Sequence, residues 1–191
     1  MKNQMRCLTA LVAVIVLAGR CMAATSDDVA LSVTVSNSVS VTLPTATYNF
    51  GSVAMGGVSI NTSALPVNNA SGGIREDYSL SLIDAGGGWG AVITTPGPDQ
   101  YAIQAVFASL QPAHADFVAN DYITEGAGNG ASAGAGVFAV DAGAIGEKGY
   151  DVVDNTSTTH ERTLWLRLQM PSAITTSDSQ FATVWVSAAA G

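Results

Sequence analysis

The sequence predicts an all-β protein, an immunoglobulin-like β-sandwich of antiparallel strands that follows a cleaved signal peptide. Three observations lead to this prediction: an apolar run near the N-terminus, repeated alternation of apolar and polar residues, and turn-forming residues between the alternating runs. Alternation with period two is the pattern of a strand that buries one face. Several short strands separated by turns are typical of sandwiches and barrels.

Residues 1–23 have the organisation of a secretory signal peptide. Lys2 and Arg6 precede an apolar run over residues 8–19, and we expect cleavage after Ala23. The run is shorter than the ~20 apolar residues of a membrane span. The domain prediction is therefore a signal peptide at 1–23 and one β-sandwich domain at 24–191, secreted into an extracellular or periplasmic space.

Two alternatives concern how this leader is processed. Cleavage after Ala24 is the second choice. A lipoprotein signal is the other reading, because small residues precede Cys21, but Arg20 stands directly before that cysteine, where a lipid-attachment site has a small residue.

Removing residues 1–23 changes the composition of the chain. Both cysteines leave with the signal, so the mature chain has no disulfide and no cysteine ligand. Four basic residues remain against 15 acidic ones, a formal net charge of −11. Nucleic acids and anionic membranes need a basic surface, so neither is expected as a partner. No membrane span is expected in the mature chain.

Seven runs carry the period-two pattern, and turn residues separate them. Their aligned apolar positions, in chain order, are Leu31/Val33/Val35, Val39/Val41/Leu43, Val58/Ile60 with Leu65/Val67, Tyr78/Leu80/Leu82, Tyr101/Ile103/Ala105/Phe107, Leu164/Leu166/Leu168/Met170 and Ala182/Val184/Val186. Trp165 and Trp185 fall on the opposite faces of their runs. Residues 111–122 predict one turn or a short helix. The glycine-rich residues 125–149 predict a surface connection with one strand at 137–140, and a ligand-binding loop is the alternative.

Residues 50–57, FGSVAMGG, predict a strand, a glycine turn and a second strand. Phe50 is expected to anchor the strand in the core, Gly51 to permit a close approach or a positive φ, and the pair at 56–57 to form the turn. The glycines do not resemble a phosphate-binding loop, because no Lys-Ser/Thr pair and no helix pattern follows them.

A family resemblance rests on this segment and on the C-terminal one. Residues 47–69, TYNFGSVAMGGVSINTSALPVNN, and residues 164–188, LWLRLQMPSAITTSDSQFATVWVSA, resemble the opening and closing segments of immunoglobulin-like sandwiches in bacterial exported and cell-surface proteins, including WxL-type and biofilm-fibre proteins. The resemblance implies a fold and a compartment. Trp165 and Trp185 lack the tryptophan-x-leucine spacing, so cell-wall binding is not carried over.

The chemistry-bearing residues do not predict an enzyme. His114 and His160 are the only histidines, no GxSxG motif is present, and both are interpreted as solvated. Paired carboxylates would be the alternative, as in a glycoside hydrolase. The candidate acids lie at strand borders or in loops, where acids ordinarily serve solubility; they are Glu76, Asp77, Asp116, Asp121, Glu125 and Glu161.

No cofactor is expected, with calcium as the alternative. Two groups of oxygen-bearing residues could supply ligands: Asp116, Asn120, Asp121 and Glu125, and then Asp151, Asp154 and Asn155. Neither has the spacing of an EF-hand loop. Asn61, Asn69 and Asn155 begin N-x-S/T triplets, which carry meaning only in a glycosylating host.

Two functions follow as expectations. The first is a secreted or cell-surface structural or adhesive protein that self-associates into a matrix or fibre through the strand pattern of residues 29–43, because an exposed edge strand can pair with another copy. The simpler reading is that this segment pairs within its own sheet. The second is a module that binds carbohydrate or another cell-surface polymer, with Trp89 as the candidate ligand contact; a core tryptophan is the simpler reading.

Overall fold

The computed structural model describes residues 38–84, 88–126, 131–134, 136–140, 146–175 and 180–191. Within these ranges the protein is all-β: it has strands, two short 3₁₀ helices and no α-helix. The strands are β1 Val41–Thr42, β2 Val58–Ile60, β3 Leu65–Asn69, β4 Glu76–Asp84, β5 Gly90–Ala91, β6 Gln100–Phe107, β7 Ala131–Ser132, β8 Glu161–Gln169 and β9 Ala182–Ala190. The predicted strand at residues 31–35 and the predicted signal peptide lie outside the described residues.

The larger sheet is built around β8. On one side β8 pairs with β6, and on the other it pairs with β3 along its first half and with β2 along its second half, all antiparallel. β1 extends the sheet beyond β3, and β5 adds in parallel to β6. The sheet is therefore mixed, whereas the sequence predicted antiparallel strands throughout.

Asn61 joins β2 to β3 without breaking their common pairing with β8. Its backbone N–H donates to the carbonyl of Leu166 (3.1 Å), and its side-chain Oδ1 accepts from the N–H of Leu166 (2.6 Å). Its Nδ2 donates to the carbonyl of Ser63 (2.6 Å). The buried amide thus completes the ladder where the chain bends between the two strands.

The smaller sheet has the order β7-β4-β9. β4 and β9 pair antiparallel over their whole length, from Glu76 opposite Ala190 to Asp84 opposite Ala182. The inward face of β4 carries Tyr78, Leu80 and Leu82, as the alternation predicted, and all three are buried.

The two sheets share one hydrophobic cluster. Its buried members come from β3, β4, β6 and β8 and from the segments between them: Leu65, Val67, Tyr78, Leu80, Leu82, Tyr101, Ile103, Ala105, Phe107, Ile123, Ala133, Phe138, Val152, Leu164 and Leu166. Burial of apolar surface is the main favourable term in folding, so this cluster holds the two sheets together.

A second cluster covers the other face of the larger sheet. It contains Val106, Ala108, Phe117 and Trp165, and Trp165 Nε1 donates to the carbonyl of Ala108 (2.8 Å). Phe117 lies between the two 3₁₀ helices, His114–Asp116 and Ala119–Asp121. The short helical segment predicted over 111–122 is therefore present, and its role is to carry Phe117 onto the sheet.

The FGSVAMGG segment follows the prediction in part. Gly51 and Gly56 take positive φ angles of 69° and 66°, and Gly57 N–H donates to the carbonyl of Ala54 (2.9 Å) to close the turn. Phe50 packs against the shared cluster. The strand expected before the turn was wrong: Asn49 Oδ1 accepts the N–H of Gly51 (2.8 Å), a local turn that competes with strand pairing.

The strand expected at 137–140 was also wrong. Phe138 has a φ of 52°, which a strand does not tolerate, and only an isolated bridge joins Ala139 to Phe107. The strand of this region is β7, at Ala131–Ser132. No helix in the described ranges is long and apolar enough to cross a membrane.

Candidate functional site

Trp89 lies immediately before β5 and is partly buried. Its ring packs against the cluster that the two sheets share. Its Nε1 is buried and has no hydrogen-bond partner among the described residues. A buried indole N–H usually has a partner, so this unsatisfied donor is an unusual feature of the described structure.

A groove of about 280 Å³ lies along Ala91 of β5 and the residues that follow it. Its lining is apolar apart from one threonine and one carboxylate: Ala91, Val92, Ile93, Thr94, Ile123 and Glu125. Its volume lies just below the ~300–1,000 Å³ range of small-molecule sites. Apolar walls with one carboxylate suit a small ligand that carries hydroxyl groups, such as a single sugar unit.

The acids considered for hydrolysis have separate structural roles. Asp116 Oδ2 accepts the N–H of Ala113 (2.7 Å), which caps the first 3₁₀ helix. Asp121 is fully buried, and its two oxygens accept the N–H groups of Val118 (2.7 Å) and Phe138 (3.0 Å). Glu125 alone of these three lines the groove. Asp116 and Asp121 therefore bond to separate backbone groups, and the three carboxylates do not form a common site.

The residues of the second acidic group also form separate local contacts. Asp151 forms an exposed ion pair with Arg75 (2.7 Å), and Asp154 Oδ1 accepts the N–H of Thr156 (2.9 Å). A hydrogen bond from the Thr156 hydroxyl, followed by this backbone hydrogen bond, lowers the pKa of Asp154. Across the part of the chain that the structure describes, no three His, Asp or Glu side chains are grouped as a metal site requires. Calcium binding stays a prediction.

The two histidines lie at polar, local positions. His114 is exposed in the first 3₁₀ helix, and His160 Nδ1 lies 2.7 Å from the carbonyl oxygen of Ser157. The exposed position of His114 agrees with the interpretation of the sequence, whereas His160 is half-buried.

Among the described strands β9 lies at the edge of its sheet, and the side of β9 that no described strand pairs with can be assigned residue by residue. On β4, the backbone N–H groups of Tyr78 and Leu82 donate to the carbonyl oxygens of Gly149 and Thr124, so they point away from β9. Beyond the end of β9, Gly191 N–H donates to the carbonyl of Arg75 (3.0 Å). Antiparallel strands alternate their bonding positions, so the odd-numbered residues of β9 bond to β4. The N–H and C=O groups of Val184, Val186, Ala188 and Ala190 therefore point to the other side, where no described strand pairs with them.

This side of β9, which we call the open edge, lacks the features that protect edge strands. Residues 182–190 contain no charge and no proline, although both are common devices against edge pairing. Val184, Val186 and Ala188 are half-buried against the shared cluster. Trp185, on the outer face, is 52% exposed.

The first described residues of the chain lie near one end of β9. Ser40 N–H donates to Oε1 of Glu76 (2.7 Å), and Glu76 lies opposite Ala190 in the sheet. β1, which follows directly, lies beside β9. Residues 29–37, which precede this contact, lie outside the described residues.

Glu76 is fully buried at this contact, and its second oxygen has no partner among the described residues. Burial raises the pKa of Glu76, while hydrogen bonds from the Ser40 N–H and the Ser71 hydroxyl oppose that rise. Burial also raises the pKa of Tyr78, and the neighbouring charge of Glu76 adds to this effect.

Sequence reasoning missed the role of Glu76, which it interpreted as a strand-border acid that serves solubility. The signal was present, because Glu76 has the same parity as Tyr78, Leu80 and Leu82 and so belongs to their buried face. Asn61 and Asn69 were noted only as N-x-S/T triplets, yet both amides are fully buried and bonded to backbone groups.

Comparisons with known proteins add no family to these observations. No model of a protein family matches the chain, and no curated protein matches it.

Proposed function

We propose that this protein is a secreted or cell-surface structural protein, an immunoglobulin-like β-sandwich that assembles into a matrix or fibre through its N-terminal segment. The observation that carries the proposal is the open edge of β9, near one end of which Ser40 bonds to Glu76. An unpaired, uncharged edge is a template for addition of another strand. The proposed role is not enzymatic.

The charge of the chain supports assembly by strand pairing rather than by ion pairs. The mature chain carries a formal charge of −11, so copies repel one another at long range. Residues 29–36 and 182–190 are free of charge, which makes them places where two copies can meet without direct repulsion. Salt should therefore favour assembly, because it screens the general repulsion.

The test compares residues 24–191 with a version that lacks residues 24–36. Native mass measurement and electron microscopy should show filaments or a ladder of oligomers for the longer protein and monomers for the truncated one. A monomer at every concentration of the longer protein would contradict the proposal.

A second candidate function is a module that binds carbohydrate or another cell-surface polymer. The unpartnered Nε1 of Trp89 and the groove along β5 favour it. Soluble oligosaccharides should quench tryptophan fluorescence in the wild type and less in Trp89→Phe, which keeps the packing but removes the donor. Trp185→Phe is the matched control, since its ring lies on the outer face of β9. Equal quenching in wild type and Trp89→Phe would contradict a site at Trp89.

A further inference from the structure

We propose that the open edge of β9 is the acceptor for residues 30–36 of a second copy, so that assembly proceeds by donation of a strand from one copy to the next. This inference rests on the proposed function and adds to it the surface that receives the N-terminal segment.

The hydrogen-bonding capacity of the open edge fits a short donor. The edge offers the N–H and C=O groups of Val184, Val186, Ala188 and Ala190. A partner strand of seven residues spans these four positions, because every second residue of each strand takes part in the ladder. Residues 30–36 provide that length without a proline, so every one of their N–H groups remains available.

The side chains of the proposed donor also match the two faces of the edge. On the inner face, a new strand would lie beside Val184, Val186 and Ala188, which pack against the shared cluster while remaining half-exposed. Leu31, Val33 and Val35 alternate with Ser32, Thr34 and Ser36. Apolar side chains can therefore extend the shared cluster while small polar ones face solvent, which fixes the register of the added strand.

The chain that follows the donor in sequence is anchored near one end of the acceptor strand. Ser40 is held by Glu76 beside the end of β9, and residues 37–39 connect this anchor to the donor. The donor of one copy and the acceptor of the next are different surfaces, so the contact is heterologous. A heterologous contact that does not close into a ring produces an open filament.

Two variants separate donor from acceptor. Deletion of residues 24–36 removes the donor and leaves the open edge. Val186→Pro removes an N–H of the open edge without touching the bonds to β4, because Val186 points away from β4. Val186→Ala is the matched control, since it keeps the N–H. Ser187→Lys is a second acceptor variant, which places a charge on the exposed face of the edge strand and leaves its backbone unchanged.

The measurement is the native mass of each variant alone and of equimolar mixtures, with thermal unfolding as the check on folding. We expect each variant to be monomeric alone, and the deletion mixed with Val186→Pro or Ser187→Lys to give a one-to-one heterodimer. Val186→Ala should assemble like the wild type.

The other outcomes overturn the inference in distinguishable ways. Self-association of the deletion variant would show pairing of two β9 strands rather than donation. If Val186→Pro and Ser187→Lys assemble as the wild type does, the proposed function is retained but the acceptor lies elsewhere. A wild type that is monomeric at all concentrations would overturn both, and would indicate that the segment covers the edge of its own copy.

Discussion

Glu76 is the residue at which the burial pattern and the chemistry conflict. It occupies an inward position of β4, its second oxygen lacks a partner among the described residues, and it holds Ser40 at the end of β9. A buried carboxylate is unfavourable in its charged form, which is why its pKa is raised. The hydrogen bond that holds Ser40 beside the end of β9 therefore depends on a group that titrates.

The stability of the domain should rise when this charge is removed. A raised native pKa means that the folded state holds the proton more tightly than the unfolded state. The stability of the wild type therefore falls as pH increases from the unfolded value of 4.5 through the native pKa. Glu76→Gln keeps an acceptor for Ser40 and carries no charge. It should raise Tm at pH 7 by about 2–4 °C, which corresponds to ~1 kcal/mol for a domain of this size.

The comparison at low pH gives this prediction its control. Near pH 4 the carboxyl is protonated in both states, so the difference between Glu76→Gln and the wild type should shrink. Glu161→Gln, an exposed acid at the start of β8, should leave both melting curves near the wild type. A Glu76→Gln protein that melts lower at pH 7 would contradict a destabilising buried charge.

Asn61 should be among the most sensitive polar positions. Asn61→Ala leaves the N–H of Leu166 without its 2.6 Å acceptor inside the larger sheet. The expected loss is about 2 kcal/mol in the free energy of unfolding, measured by urea denaturation. Asn155→Ala is the matched control, because Asn155 begins the same triplet but is exposed, and its effect should stay within ~0.5 kcal/mol. Equal effects would show that the Asn61 amide does not support the ladder.

At the scale of elements, period two predicted β3, β4, β6, β8 and β9 well, because each buries one face against the shared cluster. It also predicted β2, whose Ile60 packs against the second cluster. It could not predict which strands pair. The parallel addition of β5 to β6 and the pairing of both β2 and β3 with β8 depend on contacts distant in sequence. It also failed where local bonds win, at the Asn49–Gly51 turn and at Phe138, whose N–H is taken by Asp121.

The glycine-rich region contains both a packing position and an open one. Gly149 is buried, and a Cβ there would lie 2.5 Å from Phe107 Cε2 and 2.6 Å from Ala133 Cβ. Gly149→Ala should therefore destabilise the domain by ~1–3 kcal/mol. At Gly134 a Cβ meets nothing within 4 Å, so Gly134→Ala should be neutral or slightly stabilising. Chemical denaturation of both variants tests the difference, and a neutral Gly149→Ala would contradict the close packing.

At the scale of the whole molecule, the sequence predicted the all-β class and a single domain in which two sheets share one core. The candidate surfaces were less accessible to sequence reasoning. Trp89 could be named from its glycine neighbours, but its Nε1 without a partner among the described residues and the groove along β5 depend on the fold. The open edge could not be recognised, because the sequence of β9 is typical of any half-buried strand. Only the order of the described strands leaves one side of β9 unpaired.

The most direct test of the account is residue-resolved amide hydrogen exchange in β9. In the monomeric protein that lacks residues 24–36, Trp185 and Ser187 should be protected by β4, while Val186 and Ala188 should exchange rapidly. In the assembled protein of residues 24–191, all four amides should be protected. Val186 and Ala188 that exchange equally fast in both samples would contradict strand addition at the open edge.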